Sequence, residues 1–138
     1  MKLIEEITKR NTGEYAIRPF IKSNPQRTLA VMEDWSKNSN KHIRRLSCER
    51  FRPRLPWAKK LDMFIENPLP LFPVLNNLKD DTSKYVQKSV DNCISDILKD
   101  NKEIGLQLIE EWKIENMGKE RKWIIKHALR NLVKKGEV

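Results

Sequence analysis

Glycine is scarce in this chain, four among 138 residues, and no stretch alternates apolar and polar residues with β-branched enrichment long enough to propose a strand. Sheet-built folds are therefore set aside. Histidine is limited to His42 and His127 and cysteine to Cys48 and Cys93, far apart and without CxxC or histidine neighbours at metal spacing. Neither a zinc site nor a disulfide framework is expected, and both cysteines read as small packing residues. Long apolar runs are also missing. Ile124-Ile125 and Leu69 to Leu75 are too short or too proline-broken to cross a bilayer, and the start MKLIEEITKR has acidic residues where a signal peptide needs an apolar stretch. A cytoplasmic protein with no membrane partner is expected.

What the chain does contain is charge, unevenly placed. Residues 1–60 hold 15 Lys and Arg against 6 Asp and Glu, residues 61–118 hold 6 against 11, and residues 119–138 hold 7 against 2. Two basic ends flank an acidic middle. Such asymmetry fits a polyanionic partner, because each phosphate neutralised by Lys or Arg releases a condensed counterion. A solvated basic surface without a partner is the plainer reading.

The length is that of one domain, taken as 1–138. The apolar spacing throughout is helical. Leu3, Ile4 and Ile7 form a pattern with no capping residue ahead of it, as in the last turns of something longer. Thr12 can cap a helix carrying Tyr15, Ile17, Phe20 and Ile21. Asn24-Pro25 opens one with Leu29, Met32 and Trp35 on a single face, and Asn40 caps the next, which runs to Pro53. A further helix, with Leu61, Phe64 and Ile65 inward, ends at Asn67-Pro68. Residues 69–79, 83–99, 102–116 and 119–135 read as four more.

Some of these helices repeat. Lys41-His42-Ile43-Arg44-Arg45, Lys84-Tyr85-Val86-Gln87-Lys88 and Lys122-Trp123-Ile124-Ile125-Lys126 share the order basic, ring, β-branched, variable, basic, at offsets of 43 and 38 residues. Periods near 40 built of helix pairs belong to HEAT-like solenoids, since one pair cannot bury its apolar faces without a neighbour to stack on. The fold class is therefore expected to be all-α, a solenoid of stacked antiparallel helix pairs with a basic concave face. Equivalent positions in such a stack fall in a row, which predicts Arg45, Lys88 and Lys126 along one surface.

The stretch RRLSCERFRPRLPW, residues 44–57, crowds five arginines around Glu49 and places Trp57 behind two prolines. Arg45, Glu49 and Arg52 are spaced i, i+4 and i+7, so they share a helix face, expected to lie opposite Ile43, Leu46 and Ser47. Two guanidinium groups favour a charged carboxylate between them. A surface ion pair of little worth is the bland alternative. It leaves unexplained the stiff segment Arg52-Pro53-Arg54-Leu55-Pro56-Trp57, which delivers an indole close to the helix end.

The string Arg45-x-x-x-Glu49-x-x-Arg52-Pro53-Arg54-Leu55-Pro56-Trp57 resembles the signature of the AlkC branch of the DNA alkylation repair glycosylases, HEAT-like enzymes related to AlkD. Glu14-Tyr15-Ala16-Ile17-Arg18-Pro19-Phe20, Tyr85 to Val90 with Asn92 and Asp96-Ile97, and Trp123 to Arg130 are similar to other parts of that family. The resemblance runs from about residue 11 nearly to the end. Family members carry additional helical repeats ahead of this region. Their pattern around the glutamate is Ser-Glu-Gly-Thr, whereas here Cys48, Arg50 and Phe51 stand, bulkier residues expected to narrow access to Glu49.

The resemblance implies excision of cationic alkylpurines such as 3-methyladenine from double-stranded DNA, without a metal or organic cofactor. Cleaving the N-glycosidic bond builds an oxocarbenium-like sugar, which an ionised carboxylate stabilises while it orients or deprotonates the attacking water. Glu49 is the first candidate, with Glu14 and Asp96 as the further catalytic carboxylates. Trp57 would contact the lesion, since an indole face attracts a cationic base more than a neutral one. Arg45, Arg52, Arg54, Lys88, Lys126 and Arg130 would hold DNA. His127 is expected to border the groove. The alternative is a catalytically inactive HEAT-like module that binds nucleic acid or a protein.

Overall fold

The computed structural model describes residues 25–49, 52–53, 62–114 and 117–136. Among them are eight α-helices and one 3-10 turn, and no strand. In chain order they are α1 (Pro25–Trp35), α2 (Lys41–Glu49), α3 (Asp62–Glu66), the 3-10 turn Leu69–Leu71, α4 (Phe72–Leu78), α5 (Lys84–Asp100), α6 (Lys102–Ile114), α7 (Lys119–Ala128) and α8 (Arg130–Lys134).

These helices form two layers. The helices bearing the repeated motif, α2, α5 and α7, lie side by side, with α5 packed against both of the others. α1 packs on α2 and on α4, while α6 folds back on α5. Each repeat thus supplies one helix to each layer, which is the helical-repeat arrangement expected from offsets near 40. Asn40 caps α2 as expected, its side-chain oxygen accepting from the His42 N–H at 2.9 Å.

The core follows the spacing. On α5, Val86, Val90, Cys93, Ile94 and Ile97 are buried at intervals of three and four, and Met32 and Trp35 of α1, Leu75 and Leu78 of α4, Leu108 and Trp112 of α6 and Ile124 of α7 close around them. Trp112 also meets its polar need, donating from Nε1 to Asn76 Oδ1 at 2.7 Å.

α5 and α6 approach closely at Gly105. A Cβ there would lie 2.6 Å from Leu98 Cδ2 and 3.0 Å from Leu98 Cγ, and Leu98 is itself buried. Gly105→Ala gains about 1 kcal/mol of helix propensity but forces an overpacking that costs roughly 1–3 kcal/mol. A net loss of stability is expected, seen as a lower denaturation midpoint in urea.

Long-range ion pairs tie turns to helices. Arg44 of α2 holds Asp81 through Nε at 2.6 Å and Nη2 at 3.2 Å, and reaches the carbonyls of Asn38 and Ser39 with Nη1. Arg121 of α7, buried, holds Asp80 through Nε and Nη2 at 2.9 and 2.6 Å and the Trp112 carbonyl through Nη1 at 3.0 Å. The hydrogen bond from Arg121 sets the Asp80 carboxyl below its ordinary value, with burial opposing. A depressed folded value means the contribution is complete above the unfolded value, near ~4, and is lost as pH falls through the folded one. Asp80→Asn should therefore flatten the decline of stability below about pH 4, measured as urea midpoints across pH.

Several boundaries differ from the sequence expectation. The stretch read as one helix over 119–135 breaks at Leu129, where the Arg130 guanidinium turns back onto the His127 carbonyl. Residues 69–79 begin as a 3-10 turn, with Pro70 and Pro73 setting the first turns of the two segments. The helix expected to reach Pro53 is described as far as Glu49, residues 50–51 lie outside the described residues, and the Arg52 N–H donates to the Glu49 carbonyl at 3.3 Å. No helix among the described residues is long and apolar enough to cross a membrane.

Candidate active site

Two carboxylates from neighbouring repeats meet across one guanidinium group. Arg52, just beyond α2, binds Asp96 of α5 through both sides of its fork, Nε to Oδ2 at 3.0 Å and Nη2 to Oδ1 at 3.4 Å. Its Nη1 donates to Glu49 Oε1 at 3.5 Å. Arg45, one turn back along α2, donates to Glu49 Oε2 at 3.1 Å, and the buried Ser89 hydroxyl of α5 donates to Oε1 at 3.3 Å. Glu49 is thus fixed at both oxygens. Burial works against the Arg52 charge, but the hydrogen bond it donates to Asp96 and the fields of Asp96 and Glu49 outweigh it and raise the guanidinium above its ordinary value.

The face carrying these groups, expected to lie opposite Ile43, Leu46 and Ser47, is itself largely covered, unlike that of a surface ion pair. The Glu49 side chain is only 8% exposed and those of Arg52 and Asp96 12% each. Ser47 and Cys48 are buried alongside, and Leu46 is half-buried. The reason is that α2 has α1, α4 and α5 packed around it, so more than one of its sides is covered. Of the three residues expected to narrow access to Glu49, Arg50 and Phe51 lie outside the described residues, and Cys48 is buried. It points into the core toward Cys93, its Sγ 3.6 Å from the Ser89 carbonyl, and both thiols are free. The Cys48 partner and burial push the Cys93 thiol well up.

Around this centre residues of the repeated motif contact one another from helix to helix. His42 meets the Tyr85 ring edge-on at 5.2 Å, and the Arg45 guanidinium lies 4.7 Å from the Tyr85 centroid. One repeat further, Lys84 Nζ sits 3.8 Å from the Trp123 centroid, and His127 stacks on Trp123 at 3.8 Å while its Nδ1–H donates to the Trp123 carbonyl. A cation of one helix thus lies over the ring of the next at both steps, joined by a ring from the preceding helix at Tyr85 and from the same helix at Trp123. Lys88 and Lys126 are exposed on the same helices.

Arg130 is more committed than the sequence implied. It bonds Asp91 Oδ1, Asn92 Oδ1 and the His127 carbonyl. Burial raises the Asp91 carboxyl, and the hydrogen bond from Arg130 opposes that shift. Arg52 likewise serves the two carboxylates rather than standing free toward a phosphate. Ser89 was not among the candidate residues; its signal was a small hydroxyl on the otherwise apolar Val86, Val90, Cys93 side of α5. Glu14, Arg54 and Trp57 lie outside the described residues. Among the described residues no three His, Cys, Asp or Glu side chains cluster as metal ligands.

A family model described as "DNA alkylation repair enzyme" matches residues 11–132. The chain belongs to that family. Within it, the chain is 48% identical to the Pseudomonas fluorescens alkylpurine DNA glycosylase AlkC, in a structure bound to DNA containing an abasic site analog, with a TM-score of 0.84 over 91% of this chain and 34% of that one. AlkD2 from Streptococcus mutans is 30% identical with a TM-score of 0.68, over 86% of this chain and 55% of the other. The uncharacterized protein YhaZ of Bacillus subtilis (strain 168) is 39% identical over 137 residues, which is 99% of this chain and 38% of YhaZ. The chain thus spans little more than a third of AlkC and YhaZ and about half of AlkD2.

Proposed function

We propose that this chain is the carboxylate-bearing part of a cytoplasmic DNA glycosylase that hydrolyses the N-glycosidic bond of cationic alkylpurines such as 3-methyladenine in double-stranded DNA. The observation that carries the reading is the Arg52 bridge, which holds Glu49 and Asp96 together on the helix layer whose rim bears Arg45, Lys88 and Lys126. The 48% identity with a DNA-bound alkylpurine glycosylase supports it.

The chemistry suits such a pair. An alkylated purine is already a cationic leaving group, so the base departs without a proton from an acid, and positive charge accumulates on the deoxyribose. A fixed carboxylate stabilises that charge and takes the proton of the water that adds to C1′. Arg45 and Arg52 are the positioning residues: with Ser89 they bond both Glu49 oxygens, so the anion needs no reorganisation as the sugar charge develops. Trp57 is proposed as the contact to the cationic base and Glu14 as a further carboxylate, both carried over from the family resemblance. Arg54 and Arg130 add to the phosphate grip.

Release of 3-methyladenine from methylated duplex DNA, measured by chromatography of the free base, tests the reading. Release above the spontaneous rate supports it. Tight binding of duplex DNA with no release supports the inactive binding module instead. Lys88→Ala and Lys126→Ala should weaken binding of any duplex sequence alike. Each should also lower the slope of log K against log salt by about 0.9, read by fluorescence anisotropy at several salt concentrations.

A further inference from the structure

A cavity of about 350 Å³ opens between the C-terminal half of α5 and the segment that continues from α7 into α8. Its floor is apolar, made of the buried Leu98, Ala128 and Leu132. Three exposed ammonium groups, Lys99, Lys134 and Lys135, stand at its rim, and none of them is paired with a carboxylate among the described residues. Asp96 forms part of one wall, with both of its oxygens already bonded to Arg52. Its charge is thereby spoken for, and the lysines give the cavity a positive mouth. Lysines near helix C-termini are favoured by the helix dipole in any case. That preference does not explain why lysines from two different helices converge on one cavity with an apolar floor.

We propose that this cavity binds a nucleotide unit, its phosphate held by Lys99, Lys134 and Lys135 and its base laid on Leu98, Ala128 and Leu132. The volume is at the lower end of the ~300–1,000 Å³ common for small-molecule sites, which suits one such unit and excludes a paired one. Lysine serves phosphate as a flexible point charge, and three of them need no fixed geometry to surround it. The shared wall at Asp96 sets this site directly beside the carboxylate pair. The unit comes either from an unpaired position of a bound DNA strand or from a free mononucleotide. This proposal does not require that the chain release bases.

The experiment is an amide NMR titration of the full chain with deoxyadenosine monophosphate, deoxyadenosine and inorganic phosphate, each added alone. The monophosphate is expected to shift the Ser95, Lys99, Asn131 and Leu132 amides and to bind at least fivefold more tightly than either fragment, because only it engages both rim and floor. A Lys99→Ala/Lys134→Ala/Lys135→Ala variant, changed only at exposed positions, should retain the parent's spectrum elsewhere and lose most of that affinity. The proposal is overturned if the monophosphate leaves these amides unmoved at millimolar concentration, if phosphate alone or the nucleoside alone binds as well, or if the triple variant binds like the parent. Displacement of the monophosphate by a short single-stranded oligonucleotide assigns the unit to a strand, and its persistence assigns it to the free nucleotide. Base release by the parent chain is measured separately, so nucleotide binding without release fails the glycosylase reading and leaves this one standing.

Discussion

Glu49→Gln is expected to slow release of the alkylated base by about 10²- to 10⁴-fold, the range for loss of a positioned general base or a preorganised charge. Glutamine keeps the length of the side chain and an oxygen that can accept from Ser89, so the polar contacts across α2 and α5 are mostly retained. What disappears is the negative charge between Arg45 and Arg52. Single-turnover release from methylated duplex, alongside far-UV circular dichroism, separates lost chemistry from lost folding. A folded variant that releases the base within fivefold of the parent rate would remove Glu49 from the mechanism and leave Asp96 as the carboxylate to test.

Arg52→Ala should give the largest loss of stability among single changes at the site. Arg52 is one cation between two carboxylates, and all three side chains are at least 88% covered when their exposures of 12%, 8% and 12% are taken together. Removing it takes from Asp96 a bidentate partner and leaves Glu49 with Arg45 and the Ser89 hydroxyl, in a setting where ions are poorly solvated. Breaking a buried pair from one side typically costs about 3–5 kcal/mol. Urea denaturation reads this directly. A double variant that also carries Asp96→Asn should lose less than the sum of the two single changes, because both act on the same bridge. A loss below about 1 kcal/mol for Arg52→Ala would mean that the bridge is solvent-screened in solution, as an exposed pair is.

How far the sequence could be read depended on whether a feature is local. The offsets of 43 and 38 between the motif copies correspond to the step from α2 to α5 to α7, and the Asn40 cap is a contact over two residues. The burial of Glu49 was not legible, because helical spacing says which residues share a side of α2 and not how many sides are covered. The Arg44–Asp81 and Arg121–Asp80 pairs join residues 37 and 41 apart, and only the stacking of repeats brings them together. The break at Leu129 has no glycine or proline to announce it, since the competing hydrogen bond comes from the Arg130 side chain. The resemblance to a family had pointed to Glu49 and Asp96, which Arg52 bridges, while Glu14 lies outside the described residues and the donor Ser89 carries no such mark.

The bridge has a dynamic consequence because of where its ends are anchored. α5 is hemmed in by α2, α6 and α7, so in a quasi-linear array it is the element whose amides exchange last, while α2 answers to fewer neighbours. Arg52 and Ser89 therefore act as a latch between a slow-opening strut and a faster one. Lifting α2 by a few ångströms would part Glu49 from Asp96 and silence the pair with the remaining helices still in place.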